Sequence, residues 1–160
     1  YPQAALVPGI AELGYKMNFI DLQACIGRVQ LKRQPEFHAR RLAIAKYYHE
    51  SLADPSLGIG FQKGVLEESH SRHLFVITLP VEKMRMSRDE FIRRLRERNI
   101  GASIHYAPLH TMPLYHPDSQ LALPVTERLS TRNVTLPISA SMSLEDAGYV
   151  SEHVRELVLA

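Results

Sequence analysis

Residues 73–79 read HLFVITL, a short run of apolar and β-branched side chains closed by Pro80, and no other stretch limits the fold as strongly. A run of this length and composition, ended by a residue that cannot continue a ladder, has the pattern of a buried strand. The chain must therefore build a sheet, and the residues that follow say what covers it. Ser87-Arg-Asp-Glu90 is a capping box, in which the serine oxygen and the glutamate carboxylate satisfy free amides of a first helical turn. Met86 and Phe91 stand where a hydrophobic staple would place them, and Phe91, Ile92 and Leu95 mark the buried face of a helix running to about Arg98. Gly101 breaks that helix, and 102–106 (ASIHY) reads as a second strand. After a stretch rich in proline and histidine, 125–131 suits a helix and 134–138 a third strand. Ser143 then caps a final helix that carries Val150, Val154, Leu157 and Val158 on one side. The expected class is α+β: a small three-stranded antiparallel sheet with its helices on one side.

The N-terminal third has a different period. From 21 to 34 the apolar residues Leu22, Cys25, Ile26 and Val29 recur at three- and four-residue steps, while Arg28, Lys32 and Arg33 fall late in the segment, near the negative end of a helix dipole. Pro35 lacks an amide donor and disfavours helix at Gln34, so it is expected to break or kink the segment before a second helical stretch with Leu42, Ala45, Tyr48 and Leu52, the two forming a continuous or bent rod. Between 54 and 69 no helical period survives, and Pro55, Gly58, Gly60 and Gly64 punctuate a connection. The expected organisation is a loop and long helical segment over 1–54, followed by a small α+β domain over 55–160.

Charge excludes some partners. The 19 basic and 17 acidic residues leave a net +2, and the one basic cluster, Arg88, Arg93, Arg94, Arg96 and Arg98, is interleaved with Asp89, Glu90 and Glu97. A nucleic-acid or membrane-surface role needs unopposed positive charge, so this cluster reads as a solvated helix face. No apolar run approaches the ~18–20 residues needed to span a bilayer, and the opening YPQAALVPGI lacks the order of a signal peptide. The expected location is the cytoplasm. The single cysteine, Cys25, lies in the apolar stretch LQACIG and is expected to be buried and inert.

Eight histidines are many for 160 residues, and five of them form two clusters, His70 and His73, then His105, His110 and His116. Zinc needs three or four ligands converging at ~2.0–2.3 Å, usually at tight sequence spacing, and neither HExxH nor paired CxxC occurs. His73 and His105 are instead expected on strands, as hydrogen-bonded and partly buried residues. There is no GxSxG elbow and no glycine-rich phosphate loop, which leaves nucleophilic hydrolysis and nucleotide cradling without support. The segment 100–115 (IGASIHYAPLHTMPLY) carries the most chemistry: a strand ending in His105-Tyr106 opens into a proline-fixed loop with His110 and Tyr115. Four polar, ring-bearing side chains then gather at one end of a sheet, where loops commonly bind ligands. An ordinary connection whose tyrosines cover the core fits the same residues.

Two further stretches carry a resemblance. Gly14-Tyr-Lys-Met-Asn18-Phe-Ile-Asp21-Leu-Gln-Ala24, with Ile26-Gly27 and Gln30-Leu31, resembles the loop-and-helix signature of the DegT/DnrJ/EryC1/StrS family of pyridoxal-phosphate-dependent sugar aminotransferases. HLFVI at 73–77, RNIGASIHYAPLH at 98–110 and LPVTERLSTRNVTLPI at 123–138 are similar to the remaining C-terminal blocks of that family, in order and at compatible spacing. The resemblance covers nearly the whole chain from about Val7.

It implies the small C-terminal domain of a fold-type I aminotransferase that moves an amino group from glutamate to a keto-sugar nucleotide, as a homodimer using pyridoxal phosphate. The Schiff-base lysine of the family belongs to a large domain upstream of the Gly14–Asn18 loop, so Lys16 is not that lysine by position. The chain alone is therefore expected to be inactive and to bind no pyridoxal phosphate. By the same resemblance Asn18 contacts the cofactor phosphate across the dimer, and His105, Tyr106, His110 and Tyr115 line the sugar-nucleotide side. Family members often carry Asn-x-Arg where this chain has Lys16-Met17-Asn18. The contrasting expectations are a stand-alone interaction module derived from such an enzyme and, further off, a histidine metal site.

Overall fold

The computed structural model describes residues 18–115 and 122–160. Its elements are helix α1 (Asp21–Leu52), strands β1 (Gly60–Phe61) and β2 (Phe75–Thr78), helix α2 (Arg88–Glu97), a single 3₁₀ turn at Leu109–Thr111, helix α3 (Pro124–Ser130), strand β3 (Asn133–Leu136) and helix α4 (Leu144–Leu159). The chain divides into two compact units between Gln34 and Pro35. Among the described residues no helix is long and apolar enough to cross a membrane.

In the first unit the chain enters α1 with the Ile20 N–H donating to Gln23 Oε1 at 3.1 Å, which satisfies one of the amides a helix start leaves open. The apolar face read from the sequence is present, but Leu22, Ile26, Val29 and Leu31 are all more than half exposed. Cys25 on that face is exposed too, which corrects the expected buried thiol. Apolar neighbours in sequence bury a residue only when something packs on their face.

In the second unit β2 lies between β1 and β3, antiparallel to both. Directly paired residues share a face of the sheet, so the register sorts the side chains. Phe75 opposite Leu136 and Ile77 opposite Val134 are buried, and their face packs against the C-terminal half of α1, α2 and α4 through Tyr48, Phe91, Leu95 and Val154. The Tyr48 and Phe75 ring centroids are 5.0 Å apart. Tyr48 donates its hydroxyl to the Pro137 carbonyl at 2.8 Å, and burial, with the Asp146 charge second, pushes the phenol well above its usual range. Ser143 and Asp146 form the expected cap of α4, each accepting from a backbone N–H of the other.

At Pro35 the helix does not break: α1 runs through it to Leu52 as a continuous rod, one of the two expected forms. Two expectations are corrected. The segment 102–106 is not a strand: Ser103 alone pairs, exchanging both backbone hydrogen bonds with Thr135 at 2.8 and 3.1 Å, before the chain leaves the sheet toward Pro108. The third strand is β1, inside the stretch read as a connection. Its signal is the alternation Leu57, Ile59, Phe61 with glycines between, and Gly60 pairs with Thr78 across the sheet.

The arginines of α2 are paired. Arg93 and Arg94 bond Glu90, Arg93 also bonds Glu97, Arg98 bonds Glu156, and Arg96 donates to the Ala102 carbonyl. Glu90 is held below the usual carboxylate range, by Arg93 first and then Arg94.

Candidate functional site

The second face of the sheet is built from Val76 opposite Thr135 and Thr78 opposite Asn133, and the helices that cover the core do not bury it. Thr78 Oγ1 donates to Asn133 Oδ1 at 3.2 Å, and Gln62 Oε1 accepts from the Val76 N–H at 3.2 Å, so both amide side chains keep their N–H₂ groups for other partners. An open cavity of about 330 Å³ lies here, bordered by Gln62, Thr78, Asn133 and His105 on its polar side and Phe61, Val76 and Leu129 on its apolar side. The lining thus sets several polar groups beside an apolar floor.

His105 reaches the cavity because the Ser103–Thr135 bridge anchors the chain two residues before it. Its Nδ1 lies 2.9 Å from Thr135 Oγ1, and its ring meets that of Tyr106 edge-on, with centroids 4.8 Å apart. The peptide bond between His105 and Tyr106 is cis. Tyr106 itself is 74% exposed and Tyr115 51% exposed. His110 stands in the 3₁₀ turn with Nε2 3.3 Å from Glu127 Oε1 on α3. Glu127 is held below the usual range, first by the Leu123 N–H and then by His110, which ties the histidine loop to the start of α3.

The structure thus brings His105 and Tyr106 together and links His110 to α3. His105 is half-buried but not on a strand, and His73 is exposed just before β2, so both corrections run against the expected strand histidines. His116 lies outside the described residues. No group of three His, Cys, Asp or Glu side chains among the described residues could hold a metal ion. Sequence reasoning passed over Thr78, Asn133 and Thr135, whose period-two spacing against Val134 and Leu136 was the available signal. Arg72 was passed over as well. It is fully buried, and its guanidinium donates to the carbonyls of Val65 (3.0 Å), His70 (2.6 Å) and Glu67, fastening the turn before β2.

Asn18 belongs to the first unit, where it is exposed three residues before α1 begins at Asp21. Its amide N–H₂ suits a phosphate oxygen, and the described lysines, Lys32, Lys46, Lys63 and Lys83, are all exposed. Lys16 lies outside the described residues.

A small antiparallel sheet with helices on one face and a histidine-tyrosine loop at the other matches part of solved aminotransferases. The sequence model of the DegT/DnrJ/EryC1/StrS aminotransferase family fits residues 4–155, and the chain belongs to that family. An uncharacterized protein of Methanocaldococcus jannaschii is 33% identical over 152 residues, 93% of this chain and 39% of that protein. The aminotransferase TlmJ from Streptoalloteichus hindustanus is 30% identical with a TM-score of 0.76, over 87% of this chain and 36% of TlmJ. Spr1654 of Streptococcus pneumoniae, described as a sugar aminotransferase and solved in a PLP form, is 25% identical with a TM-score of 0.81, over 97% of this chain and 40% of that one. The chain therefore spans well under half the length of these relatives.

Proposed function

We propose that this chain is the C-terminal part of a pyridoxal-phosphate-dependent aminotransferase that moves an amino group from glutamate to a keto-sugar nucleotide, leaving 2-oxoglutarate, in the biosynthesis of surface or secondary-metabolite sugars. The observation that carries the reading is the match of 97% of this chain to 40% of a PLP-form aminotransferase structure. Pyridoxal phosphate supplies the amino-group chemistry when bound to the whole enzyme. The Schiff-base lysine lies on the large domain, and residues 1–160 alone do not transaminate.

The chain's own residues have two tasks in this reading. Asn18 donates its amide to the cofactor phosphate of the neighbouring subunit in a homodimer, where the exposed face of Leu22, Ile26 and Val29 is covered. His105, Tyr106, His110 and Tyr115 border the space that takes the sugar nucleotide, with ring nitrogens and phenol hydroxyls as partners for its oxygens. They bind and orient and do not carry the proton during transfer. Absence of a membrane-spanning helix among the described residues suits an enzyme acting on such a substrate in the cytoplasm.

The test joins the chain in frame to a large domain of the family that carries the lysine, and follows each half-reaction separately. Amino transfer from glutamate to a keto-sugar nucleotide is expected, with no saturable pyridoxal-phosphate absorbance from residues 1–160 alone. Turnover of amino acid pairs without any sugar acceptor would overturn the substrate assignment.

A further inference from the structure

We propose that Thr135 is the positioning residue for His105: its hydroxyl takes Nδ1, so that the ring is held at the cavity with Nε2 as the nitrogen offered to substrate. The proposal rests on the reading that His105 meets the sugar nucleotide.

Thr135 is 6% exposed, in the middle of β3. Its backbone N–H and C=O are both used by Ser103, at 2.8 and 3.1 Å, which restrains its main chain beside the cavity. Its side chain lies on the cavity face, opposite Val76, and its hydroxyl meets His105 Nδ1 at 2.9 Å. Among the described residues Nε2 has no hydrogen-bond partner, although His105 borders the cavity beside Asn133.

The choice of a hydroxyl matters. A carbonyl or carboxylate at Nδ1 would hold the imidazole in one tautomer, because it can only accept. A threonine hydroxyl both donates and accepts, so it keeps Nδ1 whichever nitrogen carries the proton. Nε2 can then accept from a sugar hydroxyl or donate to a keto oxygen with the ring in one place. Without that partner the ring is free to turn about its outer torsion and exchange a nitrogen for a carbon at the cavity.

Two variants separate this role from packing. Thr135→Val keeps the β-branched shape and the backbone pairing but loses the hydroxyl; Thr135→Ser keeps the hydroxyl and loses a methyl. In the 160-residue chain, the Nδ1 nitrogen resonance of His105 is expected to move in Thr135→Val and to stay near wild type in Thr135→Ser. In the enzyme joined to its large domain, Thr135→Val is expected to raise KM for the keto-sugar nucleotide roughly three- to tenfold, as for one lost hydrogen bond. The glutamate half-reaction should be unchanged, and Thr135→Ser should restore KM. If His105→Ala raises KM while Thr135→Val alters neither KM nor the resonance, the positioning role is overturned and the substrate reading stands. If neither His105→Ala nor Thr135→Val changes KM, the substrate role of His105 fails and this proposal fails with it, even where the resonance moves. A KM increase that Thr135→Ser shares marks a packing effect and also overturns it.

Discussion

One helix, α1, crosses two environments. Before Pro35 its apolar residues Leu22 and Ile26 are 67% and 57% exposed; after it, Ala45, Tyr48 and Leu52 are fully buried. The spacing of apolar residues is similar in both halves, so period alone shows that a helix has an apolar face and not whether this chain covers it. The second half belongs to a core that includes both strands of the β2–β3 pair, and truncations there should be costly. The first half has no such cover within the described residues, and its apolar side chains are available for another surface.

The largest effect is expected from Phe75→Ala, which empties a fully buried ring site against Tyr48 and should cost about 3–5 kcal/mol in urea unfolding. Ile26→Ala in the isolated chain should change stability by no more than about 0.5 kcal/mol. Equal losses for the two would erase the difference between the halves of α1.

Next in size, Asn18→Ala in the enzyme joined to its large domain should weaken cofactor retention by about 1.5–3 kcal/mol, the range for a hydrogen bond to a charged group. His105→Ala should chiefly impair use of the sugar nucleotide. Equilibrium dialysis against pyridoxal phosphate checks the first and half-reaction kinetics the second. Full retention by Asn18→Ala, with loss of cofactor in His105→Ala, would reverse the roles assigned to the two units.

Smaller effects come from the α4 cap. Ser143→Ala removes a cap and should cost about 1 kcal/mol. Asp146 is held below the usual range by the Ser143 N–H first and the Ser143 hydroxyl second. A carboxylate lowered in the folded state contributes stability above its unfolded value, about 3.9 for aspartate, and that contribution is lost as pH falls through the folded value. The melting temperature of the second unit should therefore drop on acidification below about pH 4, and less steeply in Asp146→Asn.

The least change in folding stability, but a clear change in assembly, is expected for Ile26→Glu. The isolated chain should self-associate through the exposed face of α1, and a charge there should disperse it in light scattering. A monodisperse wild-type chain at high concentration would show that the face needs no cover.

Legibility followed range. The capped helices were plain because their signals are local: Ser143 and Asp146 form the reciprocal box within one turn, while at α2 only the Ser87 half forms, accepting from the Glu90 N–H, because the Glu90 carboxylate is taken by Arg93 and Arg94. The helix after Pro35 and the strand at β2 carried periods long enough to read. The two-residue strand β1 did not, because it exists through pairing of Phe61 with Ile77, sixteen residues away. The stretch 102–106 has strand-like residues but finds only one partner residue, Thr135, and so stays a bridge. In the candidate site, His105 and its neighbours were visible as a cluster of rings, while Thr135, Asn133 and Gln62 were not, since a threonine in NVTL looks like any strand residue until the register points it at a histidine thirty positions back.

By itself the sequence determined the class of fold, the places where helices begin, the family and the residues worth examining, all of which depend on local spacing or on blocks of matching residues. Only the tertiary structure decided which three segments pair, that Cys25 and its apolar neighbours are exposed while Arg72 is enclosed by carbonyls, and which hydroxyl meets His105. Those outcomes depend on which distant segments come to lie beside one another, and local periodicity carries no information about that.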